Sequence, residues 1–144
     1  MISEIQLLSV LADSKSLALL EIITIKNGVN REGAMEQLRL TEKQYHSRIS
    51  GLMKCGLIER RNGRYYVTSL GEVVHELLRV MRLGIEYYWE LKAIDSIKHE
   101  LPEKERNKII RSIVDKQEIK EVLLRKTNYT DERQQQQNQK ENSS

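Results

Sequence analysis

Thr41-Glu42-Lys43-Gln44-Tyr45-His46-Ser47-Arg48-Ile49-Ser50-Gly51-Leu52-Met53-Lys54-Cys55-Gly56-Leu57-Ile58-Glu59-Arg60-Arg61-Asn62-Gly63-Arg64-Tyr65-Tyr66-Val67-Thr68 holds a helix start, a helix stop, a change of period and a tight turn. Thr41 and Gln44 have the spacing of a capping box, with the threonine hydroxyl accepting from the Gln44 amide and the glutamine reaching back. Tyr45, Ile49 and Leu52 then recur at helical spacing as a buried stripe, and Cys55-Gly56-Leu57 reads as a left-handed glycine stop followed by an apolar contact. Lys43, Ser47, Ser50 and Lys54 fall opposite that stripe, flanked by Gln44, His46 and Arg48. From Ile58 the period drops to two. Asn62-Gly63 between two alternating runs is a strong hairpin signal, with Tyr65 and Val67 on the inner face, Tyr66 on the outer, and Arg61 and Arg64 beside the tip.

Toward the amino terminus, Asn30 can cap a short helix through Arg39 with Ala34, Met35 and Leu38 facing inward, and Leu40-Thr41 joins it tightly to the next helix. Either Asp13 or Ser14 can cap a helix running to about Lys26, ended by Asn27-Gly28. Leu17, Leu20 and Ile23 with Leu19, Ile22 and Ile25 make that helix apolar over most of its circumference, which predicts the central, most buried position. Ile5 to Leu11 supplies a first helix.

Toward the carboxy terminus, Ser69-Leu70-Gly71-Glu72 reads as a second capping box. Leu70, Val74, Leu77, Met81, Gly84, Tyr88, Leu91 and Asp95 then alternate by four and three, with Val73, Leu78, Ile85 and Trp89 widening the stripe. A helix from Leu70 to about His99 would reach roughly 45 Å at about 1.5 Å per residue, beyond what one small core can cover. Part of its apolar face therefore calls for another partner, and Gly84 and Asp95 favour crossing helices over an extended coiled coil. Pro102 suits the first turn of a further helix carrying Ile109, Ile110, Ile113 and Val114, and Asp115 to Glu118 can restart it before Ile119, Val122 and Leu123. The run around Gln134 to Gln137 has too little apolar surface to offset the entropy of ordering. The expected divisions are 1–68, 69–99, a helical extension over 100–126 and a disordered glutamine-rich tail over 127–144.

A chain of 144 residues has room for one domain and an appendage. Its net charge of +3 says little about partners until the distribution is read. Between Thr41 and Tyr66, Lys43, Arg48, Lys54, Arg60, Arg61 and Arg64 face only Glu42 and Glu59, so this segment carries an excess of +4 and the remainder of the chain is slightly negative. Such gathering is what a phosphate-facing surface requires. Cys55 is the single cysteine, which excludes an intrachain disulfide, and its place beside the helix stop suits a small packing residue. The opening residues lack the order of a signal peptide and no apolar run approaches the ~20 residues of a bilayer span, so a cytoplasmic location with no membrane contact is expected. His46, His75 and His99 show no metal-ligand spacing, no serine, histidine and aspartate order suggests a triad, and no glycine-rich phosphate loop occurs. No enzyme activity, metal or cofactor is expected. Tyr87, Tyr88 and Trp89 fit a dimer seam better than an effector pocket.

The order helix, helix, helix, polar-faced helix, hairpin, long helix resembles the winged helix-turn-helix regulators, particularly archaeal ArsR-like and MarR-like proteins, over about residues 1–98. The resemblance is carried by Leu11-Ala12-Asp13-Ser14, by Tyr45-His46-Ser47-Arg48-Ile49, by Leu52 with Gly56-Leu57-Ile58, and by Tyr65-Tyr66-Val67-Thr68-Ser69-Leu70-Gly71. It implies a mainly α winged-helix domain with a small β-hairpin, followed by a dimerisation helix, in a homodimeric transcription regulator of double-stranded DNA. ArsR-type metal sensors place paired cysteines near the recognition helix, and this chain has Cys55 alone. The expected DNA contacts are Lys43, Gln44, His46, Ser47, Arg48, Lys54, Arg60, Arg61 and Arg64, and the expected dimer seam is Leu77, Met81, Tyr88 and Leu91. The competing expectation is a winged helix used as a protein-binding module in a transcription or sorting assembly, without specific DNA binding.

Overall fold

The computed structural model describes residues 1–125, and the glutamine-rich tail expected at 127–144 lies outside them. The chain is mainly helical with one small two-stranded antiparallel hairpin. It divides after Leu78 into two compact units, taken here in turn.

In the first unit, α1 (Glu4–Leu11) opens with a reciprocal cap that the sequence reading did not anticipate: the Ser3 hydroxyl accepts from the Gln6 amide, and the Gln6 side chain accepts from the Ser3 amide. Asp13, rather than Ser14, caps α2 (Ser14–Lys26) by accepting from the Ser16 amide at 2.9 Å. Leu19, Leu20, Ile22 and Ile23 are buried and α2 touches α1, α3, α4 and β2, which makes it the central helix. Ile25 is exposed, so its apolar surface is a broad stripe and not most of the circumference. Asn30 caps α3 (Arg31–Leu38), which buries Ala34 and half-buries Met35 and Leu38.

The Thr41 and Gln44 box opens α4 (Glu42–Lys54): the Gln44 amide donates to the threonine hydroxyl at 3.2 Å and the Thr41 amide donates to the glutamine side chain at 3.0 Å. Tyr45, Ile49 and Leu52 are the buried stripe of α4. β1 (Ile58–Arg61) and β2 (Arg64–Val67) pair in the register Ile58 with Val67 and Arg61 with Arg64. Asn62 and Gly63 both take positive φ, 50° and 76°, as a two-residue type I′ turn demands. Val29, which the sequence places in a connection, exchanges both backbone hydrogen bonds with Tyr65 at 3.3 and 3.4 Å and so adds a one-residue bridge to the hairpin along β2.

The junction after β2 corrects the expected capping box at Ser69 to Glu72. Thr68 is the cap: its hydroxyl accepts from the Gly71 amide at 3.0 Å and donates to the Gly56 carbonyl, while its amide donates to the Leu57 carbonyl at 3.0 Å. A Cβ on Gly71 would lie 2.1 Å from the Leu57 carbonyl oxygen and 2.6 Å from Val67 Cγ2, so only glycine lets the chain come this close. α5 (Ser69–Glu86) leaves from this point with Gly71 and Val74 buried.

The single helix expected from Leu70 to about His99 is interrupted. α5 ends at Glu86 and α6 (Tyr88–Ile97) begins after Tyr87, which sits at φ −90° and ψ 24° with no side-chain cap. The hydrogen bonds from Tyr87 to Leu83 and from Leu91 to Tyr87 persist, so the interruption is a local distortion of one residue. The Tyr87 side chain packs into the second core and its hydroxyl donates to the Asp115 carboxylate, a bond that pushes the phenol up to about 12 and holds the carboxyl below its usual range. In this unit Pro102 stands just before α7 (Glu103–Ile113) and helix resumes at 117–125, labelled α8. Ile94, Ile110, Val114 and Ile119 form the core, with Leu83, Leu91, Leu123 and Leu124 against it, and Arg79 pairs with Glu118 at 2.7 Å. Among the described residues no helix is long and apolar enough to cross a membrane.

Candidate nucleic-acid interface

The face of α4 opposite Tyr45, Ile49 and Leu52 is exposed at Lys43, Ser47, Ser50 and Lys54, with exposed Gln44 and His46 beside it. The rear of the helix is fixed by rings. Tyr45 meets His46 edge-on at 5.7 Å and Tyr65 at 6.5 Å, and burial, with Tyr65 next to it, pushes the Tyr45 phenol up to about 12. Lys43 and Lys54 have no ion-pair partner among the described residues. Lys54 also stands at the rim of a groove of about 800 Å³ between α1 and α4, walled by Ile2, Ile5, Val10 and Cys55. Burial pushes the Cys55 thiol up, which keeps it neutral and suits a packing residue.

Gln44 is partly committed, since its side-chain oxygen accepts from the Thr41 amide while both amide hydrogens and a second lone pair stay open. Arg48 is engaged at all three of its side-chain nitrogens. Its Nε and Nη2 donate to the two carboxylate oxygens of Asp13 at 2.8 and 3.3 Å, and Nη1 donates to the Gln44 carbonyl at 3.2 Å. Its guanidinium therefore ties α4 to the start of α2, whereas Lys43, Lys54 and Arg64 carry no ion pair among the described residues. The Arg48 hydrogen bond is the main cause, ahead of the Ser16 amide, that holds the Asp13 carboxyl below its usual range.

On the hairpin, cross-strand partners share a face, which sorts the arginines. Arg60 lies opposite Tyr65 on the inner face with Ile58 and Val67, and remains exposed there. Arg61 lies on the face of Glu59 and Tyr66, pairs with Glu59 at 2.8 Å and rests over the Tyr66 ring at 4.8 Å. Arg64 is directly opposite Arg61 and has no ion-pair partner among the described residues. Like charges directly opposite on a two-stranded ladder are destabilising, so the tip carries a cost that an anion would relieve.

Three pairings escaped the sequence reading. The Glu59 and Arg61 pair has a local signal, an i and i+2 spacing on one strand face. The ion pairs of Arg31 with Glu42 and of Arg48 with Asp13 join separate helices and have none. Of the expected seam, Leu77, Met81 and Tyr88 are exposed, whereas Leu91 is half-buried against the core of its own unit. Among the described residues no group of three histidine, cysteine or acidic side chains could hold a metal. In comparisons with known proteins, no family model, no curated protein and no solved structure matches the chain.

Proposed function

We propose that residues 1–68 are a winged helix-turn-helix domain that binds double-stranded DNA sequence-specifically and regulates transcription, without catalysis. α3 and α4 are the helix-turn-helix, α4 enters the major groove, and the hairpin is a basic wing on the minor groove or the backbone. The observation that carries the reading is the open face of α4: short Ser47 and Ser50 permit close approach, and Lys43 and Lys54 at its two ends lack ion-pair partners among the described residues. The unrelieved Arg64 at the hairpin tip supports it. Lys43, Lys54, Arg60 and Arg64 meet phosphates, with Arg61 stacked beside them, and Gln44, His46 and Ser47 face base edges.

The proposed protein partner is a second copy of the chain. Val73, Leu77, Met81 and Ile85 are exposed at steps of four along α5, and Trp89 continues the step on α6 with Tyr88 beside it. These six side chains expose on the order of 800 Å² together, about what one partner contributes to a standard interface. Relative to the expected seam, Leu91 is left out and Val73, Ile85 and Trp89 are added. Two-fold pairing would present two α4 helices to an inverted repeat.

An electrophoretic shift assay across a salt series tests the DNA reading. Each neutralised phosphate contributes about −0.9 to the log-log slope, so Arg64→Ala or Lys43→Ala should each flatten it by about one contact. A protein-binding module would show no affinity for DNA at low salt. That result, or an unchanged slope in both variants, would contradict the proposal.

A further inference from the structure

We infer that the pair between Asp13 and Arg48 sets which side chains α4 presents, so that Arg48 is a positioning residue for base reading and not a phosphate contact. The inference rests on the DNA-binding reading above.

The geometry is that of a clamp. A guanidinium held at both Nε and Nη2 by one carboxylate is fixed in rotation as well as in distance, and Nη1 ties the same group back to the Gln44 carbonyl one turn earlier in α4. The anchor is itself rigid, because the same Asp13 carboxylate accepts from the amide and the hydroxyl of Ser16 in the first turn of α2. α2 is the central helix of its unit. The clamp thus references the rotation of α4 about its own axis to the most buried element available. Arg48 sits on the flank of α4, between the buried stripe and the open face, where a lever on rotation acts best.

Rotation matters unequally to the two kinds of contact. A base-edge hydrogen bond is lost when donor and acceptor separate by a few tenths of an ångström beyond about 3.2 Å, whereas phosphate attraction decays over a Debye length of about 8 to 10 Å. Loosening the clamp should therefore erase discrimination between sequences before it erases affinity for DNA in general.

Asp13→Asn separates this from direct contact by sign. Asparagine still caps α2, while the Nη2 leg of the clamp and one negative charge are removed, so that Arg48 is held by a single neutral acceptor. If Arg48 touched phosphate, every duplex would bind tighter and the salt slope would steepen by about 0.9. The clamp predicts about a tenfold loss on a duplex selected by the wild-type chain from a random pool, with binding to a random duplex of equal length held or slightly improved. Arg48→Lys provides the second arm, since it keeps the charge and loses the fork, and should lose preference in the same way. Melting curves accompany both variants, and if one fails to fold the other decides. Wild-type binding with preference retained in the folded variants, or with affinity for the selected duplex raised, overturns the clamp alone. Wild-type failure to bind either duplex overturns the DNA reading, and the clamp with it.

Discussion

α4 and α5 are both amphipathic helices with one face turned outward, yet what they expose is opposite. α4 hides Tyr45, Ile49 and Leu52 and shows Lys43, Ser47, Ser50 and Lys54. α5 hides Gly71 and Val74 and shows Val73, Leu77, Met81 and Ile85. Exposure by itself therefore says little. On the proposed reading the first face suits a polyanion and the second an apolar surface, and the two associations should respond to salt in different ways.

The largest expected effect falls where the hairpin that follows α4 meets the start of α5. Gly71→Ala forces a methyl into the Leu57 carbonyl, a backbone atom that cannot swing aside, and should cost about 3 kcal/mol or more of stability, read as the shift in a urea midpoint. A change below ~1 kcal/mol would mean the junction is not the fixed point from which both faces are set.

Next in size, Met81→Asp places an uncompensated charge in the proposed seam and should cost the dimer about 2 to 4 kcal/mol, seen as monomer at micromolar concentration in light scattering. DNA-free stability should fall little, because Met81 is 55 % exposed in the single chain. A variant that remains dimeric would move the seam elsewhere, whereas Leu91→Asp should damage folding before association, since Leu91 packs on its own unit.

Those two residues show how far the sequence could be read. Signals confined to a few neighbouring positions were legible: the Thr41 and Gln44 box, the Asn62-Gly63 turn and the Tyr45, Ile49, Leu52 stripe depend on contacts within one turn or one hairpin. Features decided by remote partners were not. Leu91 and Tyr88 belong to the same alternation, and only α7 and α8 decide which of them is covered. The apolar pattern runs unbroken through Tyr87, so nothing local marks the distortion there. Arg48 looks like any other cation on a polar face until Asp13, brought from the start of α2, is seen against it.

The smallest effect concerns acid. Asp13 titrates below its ordinary value when folded, chiefly through Arg48, so its contribution is present above the unfolded value near pH 4 and is lost as pH falls through the lower folded value. Asp115 and Glu118, held low by Tyr87 and Arg79, act in the same direction. Urea midpoints should therefore fall as the pH drops below about 4, and the fall should be shallower in Asp13→Asn. An equal fall in the variant would show that Asp13 is not among the groups responsible.

The contrast between the two faces is tested most directly by sedimentation of the chain with a labelled duplex across a salt series. At low salt two chains should travel with each duplex, and as salt rises the DNA should be released while the free protein stays at twice the chain mass, because ion pairs with phosphate are screened and apolar burial is not. A protein that falls to single chains as the DNA leaves, or a complex indifferent to salt, would contradict the account.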